Sequence, residues 1–144
     1  MRRPRVTPAR VAIATLAVAV AIQLIPVRRD NPPVQAEVEA PLRVQQIIER
    51  ACYDCHSNRT RWPWYSHVAP VSWLVAHDVH EGRDEVNFSE WPTFDFEKQD
   101  DIFKGIAKQV GRKKMPLPNY LALHPEARLT EDDRQALVRW ARME

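Results

Sequence analysis

Two cysteines and a histidine lie together in the segment Cys52-Tyr53-Asp54-Cys55-His56, and their types and spacing suit cofactor chemistry. The pattern C-x-x-C-H is the attachment motif of c-type haem. Each thiol can add to one haem vinyl group, because Cys at i and i+3 of a helical turn face the same way. His56 is then held against the macrocycle, where its imidazole can bind the iron from the proximal side. The segment therefore predicts one covalent haem c.

Three other uses of the same side chains stay open at this point. A disulfide between Cys52 and Cys55 could form in an oxidising compartment, although so short a loop adds little stability. A thioredoxin-like thiol pair would need a βαβ context, which the sequence does not indicate. A zinc site could use both Cys and His56, but the chain has only 2 Cys, so its fourth ligand would be a distant His.

Met115 is the candidate for the distal ligand of the iron. It precedes Pro116 in a loop between two predicted helices, about sixty residues after the attachment motif. A thioether opposite an imidazole raises the reduction potential relative to two imidazoles. The competing ligands are His67, His77, His80 and His124, and an open or water-filled position is the remaining alternative.

Composition and charge exclude several classes of protein. The 144 residues include only 3 Gly, namely Gly82, Gly105 and Gly111, and these do not form a phosphate-binding pattern. Six Arg and one acidic residue precede residue 31, which leaves the rest of the chain slightly acidic. Nucleic-acid binding is therefore not expected, and the basic start is better explained as a topology signal.

An apolar run extends from Val11 to Ile25 between Arg10 and Arg28. The 17 residues between the two Arg would form a helix about 26 Å long, close to the ~30 Å of a hydrocarbon core. We therefore expect residues 1–27 to be a cytoplasmic N terminus and a transmembrane anchor, oriented by the preceding Arg. The alternative is a cleaved signal peptide. Both interpretations export the C-terminal domain to the periplasmic or outer face, and the anchor also predicts a single-pass location in the bacterial cytoplasmic membrane.

The rest of the sequence predicts a Pro-rich linker over residues 28–41 and an all-α domain over residues 42–144. Four helical patterns occur in that domain. The first has an apolar stripe of Val44, Ile47, Ile48 and Ala51. The second begins at Pro70 with Val71, Leu74, Val75 and Val79 on one face. The third covers roughly residues 97–110 and stops at Gly111, and the fourth begins at Thr130 as N-cap.

Longer runs of sequence extend beyond the attachment motif. They are ACYDCHSN from Ala51, WPWYS from Trp62, APVSWL from Ala69, NFSEW from Asn87, QLIPV from Gln23, NPP from Asn31, MP at Met115, YL at Tyr120 and LHPEA from Leu123. These runs resemble the bacterial haem-binding domain family, a group of membrane-tethered, cytochrome-c-like proteins. The resemblance implies a small cytochrome-c-like helical domain with one covalent haem c. It also implies Cys52 and Cys55 as thioether sites, His56 as proximal ligand and Met115 as distal ligand.

Taken together, these features predict a membrane-anchored, single-haem cytochrome c that transfers one electron and acts as a carrier rather than an enzyme. Its redox partner protein is not identifiable from the sequence. The alternative is a haem-based sensor or ligand-binding domain with a displaceable distal ligand. A haem peroxidase would need an open sixth position and a catalytic base.

Five aromatic residues and one basic run can each be explained in two ways. The aromatic residues Trp62, Trp64, Tyr65, Trp73 and Trp91 could line a haem pocket or serve as ordinary core. The basic run Arg112-Lys113-Lys114 could steer an acidic redox partner or complement the end of a helix.

Overall fold

Helices account for the regular secondary structure of the computed structural model, which describes residues 7–143. The α-helices are α1 (Pro8–Ala21), α2 (Leu42–Ala51), α3 (Tyr53–His56), α4 (Val71–Glu85), α5 (Phe96–Gly111), α6 (Pro118–Leu123) and α7 (Glu131–Ala141). Short 3-10 turns occur at Ile22–Leu24, Trp64–His67, Trp91–Thr93 and Pro125–Ala127. Within the described residues the β-structure is one isolated bridge between Ala36 and Glu90. The predicted all-α class is confirmed.

The predicted transmembrane helix is wrong. Helix α1 has 14 residues, a length of about 21 Å at ~1.5 Å per residue, and no helix among residues 7–143 is long and apolar enough to cross a membrane. The apolar run does not stay helical to residue 27, because the chain tightens into a 3-10 turn at Ile22 and Ile25 is extended. A residue before Pro, here Pro26, is sterically pushed out of the α region. The Arg residues at positions 2, 3 and 5 lie outside the described part of the chain.

The described chain divides into two compact units. The smaller consists of residues 7–29 and Trp62–His77. Within it, the Gln23 side chain donates to the Ala69 carbonyl at 3.1 Å and accepts from the Ala69 N–H at 2.9 Å. Arg29 also donates to the Ser66 carbonyl. These hydrogen bonds connect the end of α1 to the 3-10 segment of the same unit.

The larger unit, residues 30–61 and 78–143, contains the main hydrophobic core. Helix α2 buries the predicted stripe of Val44, Ile47, Ile48 and Ala51. Helix α5 begins at the N-cap Asp95, whose side chain accepts from the Lys98 N–H. Helix α7 packs against both α2 and α5. It begins at the predicted N-cap Thr130, in a capping box with Asp133.

Helix α4 is present, but its buried face differs from the predicted one. Val79 is buried as expected, whereas Val71 and Leu74 are exposed. The other buried positions are Ser72 and Ala76, seven and three residues before Val79, and Gly82, three residues after it. The stripe was assigned from the largest apolar side chains, and here small residues occupy the packed face instead.

Residues 30–41, part of the predicted linker, contain no helix and are bonded to the larger unit. The Gln35 N–H donates to the Ser89 carbonyl at 2.9 Å, and the Asn31 amide donates to the Thr60 carbonyl at 2.9 Å. Val38 is buried in the core. The Pro-rich composition therefore produces an extended segment that packs along the domain.

Candidate haem site

An apolar cavity of about 460 Å³ lies within the larger unit. Its size is in the ~300–1,000 Å³ range of small-molecule and cofactor sites. The apolar residues that line it are Ile48, Ala51, Val86, Phe88, Ile102, Ile106, Val110, Pro116, Leu129, Leu137 and Trp140. The polar lining residues are Glu85, Lys98, Asp101 and Gln109. Cys52, His56 and Met115 line the same cavity, so three of the four predicted site residues are brought together.

The attachment motif lies at the junction of α2 and α3. Cys52 interrupts the helical path with φ −126°, and its carbonyl accepts from the N–H groups of Cys55 and His56 at 3.1 and 2.9 Å. These bonds make the motif a tight turn at the end of a buried helix. Cys52 lines the cavity, whereas Cys55 is not among the lining residues and packs against the backbone of α4 near Gly82.

Both cysteines are free thiols. Burial raises the pKa of Cys52 to about 12, and the charge of Cys55 adds to that effect. Burial also raises the pKa of Cys55 to about 12, with Asp54 and Asp78 adding to the shift. The two side chains are therefore protonated at neutral pH.

His56 is oriented by two backbone carbonyl groups. Its Nδ1 lies 2.6 Å from the Gly82 oxygen and 3.2 Å from the Val86 oxygen. Because both partners are acceptors, Nδ1 must carry the proton, which leaves the lone pair of Nε2 free to bind a metal. Burial lowers the pKa of His56, with the two carbonyl bonds acting in the opposite direction. The ring is therefore neutral at physiological pH, as an iron ligand must be.

Met115 follows a tight turn at the end of α5. Lys113 has a left-handed conformation with φ 58°, and its N–H donates to the Val110 carbonyl at 3.0 Å. The Lys114 N–H donates to the Gln109 carbonyl at 2.9 Å. This is the Schellman arrangement that ends many helices, with Lys in the position usually occupied by Gly. The sequence predicted the stop at Gly111, but the residue that reverses the chain is Lys113.

The other histidines do not join this site. His124 stacks on Tyr120 with ring centroids 4.2 Å apart and lies 3.1 Å from a Glu126 carboxylate oxygen. Neither His124 nor His80 lines the cavity, and His67 and His77 belong to the smaller unit. Met115 is thus the only one of the predicted distal side chains found in the cavity wall.

A buried polar cluster around Asp54 was missed by the sequence analysis. The Asp54 carboxylate accepts from the Arg61 N–H at 3.1 Å and from the Arg61 Nε at 3.2 Å. It also accepts from the Tyr120 hydroxyl at 2.8 Å, and burial followed by this bond raises the pKa of Tyr120. Asp54 occupies a variable position of the attachment motif, so the motif itself offered no signal. The cluster joins the turn that carries Cys55 to α6, the helix after the Met115 loop.

The predicted aromatic pocket is formed by other residues. Trp62, Trp64, Tyr65 and Trp73 belong to the smaller unit, and Trp64 is exposed. In the larger unit Phe88 and Trp140 line the cavity. Trp91 stacks on Phe88 with centroids 6.5 Å apart, and Phe88 lies edge-on to His56 at the same distance.

Gly105 supplies the clearest sign that the cavity accommodates a bulky group. It lies in the middle of α5, where Gly costs about 1 kcal/mol relative to Ala. Its φ is not positive, and apart from its chain neighbours and the adjacent backbone of α5 no atom lies within 4 Å of the position that a β-carbon would occupy. Neither backbone geometry nor a neighbouring side chain requires Gly here. An open wall on the cavity, beside a neutral His and a thioether, fits a flat iron-containing macrocycle.

The zinc alternative gains no support from the structure. Across residues 7–143, no group of three or more His, Cys, Asp or Glu side chains is arranged to hold a metal ion. The His56 imidazole and the Met115 thioether, which line the cavity beside the Cys52 thiol, instead match donors found at haem iron.

Gly82 has the opposite surroundings from Gly105, and this leads to a prediction. A β-carbon at Gly82 would lie 2.6 Å from the Cys55 carbonyl oxygen, so α4 and the attachment motif would have to separate. We expect Gly82→Ala to destabilise the haem-loaded protein by about 1–3 kcal/mol, as overpacking does, and to shift the reduction potential because the His56 bond is disturbed. Thermal unfolding and redox titration measure both effects.

The matched control is Gly111→Ala in α5. There the new β-carbon would make only an ordinary contact of 3.8 Å with Val138, so stability should stay equal or rise. Equal stability and potential for Gly82→Ala and the wild type would show that the close approach of α4 is not needed.

Comparison with known proteins gives a match over most of the chain. No curated protein and no solved structure matches the chain. The haem-binding domain family matches residues 17–143, a span that includes the attachment motif, the Met115 loop and all the cavity residues. The family match agrees with the resemblance drawn from the sequence. The chain belongs to the haem-binding domain family.

Proposed function

We propose that this protein carries one covalently attached haem c and transfers single electrons. The observation that supports the proposal most strongly is the meeting of Cys52, His56 and Met115 in the wall of one apolar cavity. A thiol would hold haem covalently, and an imidazole and a thioether would bind its iron. Cys52 lies at the junction of α2 and α3, His56 ends α3, and Met115 lies in the loop after α5.

Haem, when bound, supplies an iron that cycles between the ferric and ferrous states. The chain's own residues hold and tune it. Cys52 and Cys55 would hold haem covalently, each by addition of its S–H across a vinyl double bond, which forms one C–S and one C–H bond and needs no external oxidant. His56 presents Nε2 because its Nδ1–H is donated to the Gly82 carbonyl. Lys98, the cationic residue of the cavity wall, suits a propionate carboxylate.

The carrier interpretation is favoured over a sensor or a peroxidase by the distal side. Met115 follows a hydrogen-bonded turn at the end of α5, which restricts its movement away from the cavity. A peroxidase would need a base beside the open position, whereas His56 is the one His of the cavity wall and its Nδ1 already faces carbonyl groups. The apolar lining keeps water from the iron and favours simple electron exchange.

We propose that the domain works outside the cytoplasm, because covalent attachment of haem c belongs to that compartment. Its partner would be another redox protein that exchanges one electron at a time. An exported, oxidising setting would also allow a Cys52–Cys55 disulfide in protein that has not received haem.

Carbon monoxide binding to the reduced protein tests the carrier proposal. We expect the wild type to be six-coordinate, low-spin and slow to bind carbon monoxide. Met115→Ala should bind it readily and show a lower reduction potential, because a strong thioether ligand has been removed. Leu117→Ala, which changes an apolar residue two positions further along, serves as the matched control. Rapid binding by the wild type at the rate of Met115→Ala would favour the sensor instead.

A further inference from the structure

We propose that Arg134 is the positioning residue of the distal ligand: it holds the loop that carries Met115 in place over the cavity. The inference rests on the assignment of Met115 in the proposed function and goes beyond it by naming the residue that keeps the ligand there. Arg134 lies in the first turn of α7, does not line the cavity and would not touch the iron.

The guanidinium of Arg134 forms two hydrogen bonds with backbone carbonyl groups near the Met115 turn. Arg134 Nη1 donates to the Val110 carbonyl at 2.9 Å and to the Met115 carbonyl at 3.4 Å. Val110 belongs to the last turn of α5, and Met115 lies beyond the left-handed residue Lys113. One side chain therefore spans both ends of the turn that aims Met115.

Without the Arg134 contact, the loop that carries Met115 has backbone hydrogen bonds of its own. The Lys114 N–H bonds to the Gln109 carbonyl at 2.9 Å, and the Met115 N–H reaches the same oxygen only at 3.4 Å. Both bonds are internal to α5 and its end. Lys113 occupies a left-handed conformation that costs roughly 1–2 kcal/mol for a residue with a β-carbon. The turn is thus locally strained, and Arg134 adds a bond from a different helix.

Helix α7 is itself bonded to α2, the helix that ends directly before Cys52. Asp133, the residue before Arg134, accepts from Arg50 Nη2 of α2 at 3.0 Å. Arg50 also donates to the carbonyl groups of Glu126 and Arg128, which precede α7. Two successive residues of α7 therefore connect the α2 segment, which supports the covalent and proximal side, to the loop of the distal side.

The connection has a chemical consequence at the iron. A thioether binds iron weakly enough that its occupancy depends on how well the chain presents the sulfur. If the Arg134 bonds are lost, the loop can visit conformations in which Met115 is away from the cavity. The protein would still fold around its core, but the sixth position would open more often.

The test uses the haem-loaded full chain with Arg134→Met and Arg134→Lys. Arg134→Met keeps the length and apolar packing of the stem but removes both hydrogen bonds. We expect carbon monoxide to bind the reduced protein at least tenfold faster than the wild type and the reduction potential to fall. Arg134→Lys keeps one charged donor, so its binding rate and reduction potential should lie between those of the wild type and Arg134→Met. It also provides the test if Arg134→Met does not fold. Arg139→Met, an exposed position of the same helix, is the matched control and should behave as the wild type.

The outcomes separate this inference from the proposed function. If Met115→Ala binds carbon monoxide much faster than the wild type, as expected, yet Arg134→Met binds it at the wild-type rate, Arg134 does not position the ligand. If the wild type itself binds carbon monoxide as fast as Met115→Ala, the distal assignment fails and this inference fails with it. A loss of thermal stability in Arg134→Met without a change in binding rate or potential would show a merely structural role and overturn the proposal.

Discussion

Replacing both cysteines, as Cys52→Ala with Cys55→Ala, is expected to abolish covalent haem. The two thiols are the only Cys of the chain, so no other thioether can form. In cells that mature c-type cytochromes, a haem-specific stain on a denaturing gel should label the wild-type band and leave the double variant unlabelled. The effect is complete rather than graded, because denaturation removes every haem held by ligation alone.

Each single cysteine variant should keep one thioether and hence a weaker band. The matched control is Met115→Ala, which alters the same cavity but leaves both thiols, and it should stain as strongly as the wild type. Staining of the double variant at the wild-type level would contradict covalent attachment. A wild type that expresses well but never stains would make a thiol pair or a disulfide the leading interpretation of Cys52 and Cys55.

Gly105→Leu is expected to prevent haem from occupying the cavity. The space beside Gly105 is empty of protein atoms within 4 Å, so a Leu side chain there would project into the cavity rather than clash with the chain. We expect the polypeptide to fold about its core, since Leu is also a better helix former than Gly by about 1 kcal/mol. Haem content, measured by absorbance per protein, should fall by most of its wild-type value.

Two further variants make this result specific. Gly105→Ala adds a single methyl group and should reduce haem content much less. Gly111→Leu makes the same change six residues later in α5, outside the cavity, and should leave haem content unchanged. Full haem content in Gly105→Leu would mean that haem does not lie against this wall of α5.

Helices could be predicted from the sequence where one face carries regularly spaced apolar residues and where a capping residue begins the helix. Helix α2 buries the predicted stripe, and Thr130 caps α7 as predicted, because apolar spacing and N-cap chemistry act over a single turn or two. Helix α4 exposes Val71 and Leu74, since its packed face is made by the small residues Ser72 and Ala76. Size of the apolar side chain was the wrong guide there.

The prediction of an N-terminal transmembrane helix was wrong for a different reason. Hydropathy counts residues, and Val11 to Ile25 is uncharged throughout and mostly apolar, but a helix also needs a backbone that can continue. Pro26 restricts Ile25 to an extended conformation, and the preceding turn is 3-10, so α1 ends at Ala21. Pro26, at the end of the predicted anchor, thus limits how far the helical run before it can extend.

The residues that we propose as haem ligands could be named from the sequence, whereas the residues that support them could not. The order C-x-x-C-H names three residues directly, and Met115 was reachable by elimination among few thioethers. Asp54 and Arg134 were not, because their roles depend on partners 66 and 19 residues away in sequence. The roles of Gly82 and Gly105 could not be predicted from the sequence either. Gly82 is needed because the Cys55 backbone lies close to it, and Gly105 faces open space in the cavity.

The most direct test of the central claim is the intact mass of the denatured wild-type protein from cells that mature c-type cytochromes, compared with the same chain made in cells that do not. We predict a difference equal to one haem, added without loss of atoms because each thiol adds across a vinyl group. Equal masses for the two preparations, with the chain folded in both, would contradict covalent haem attachment and the function built on it.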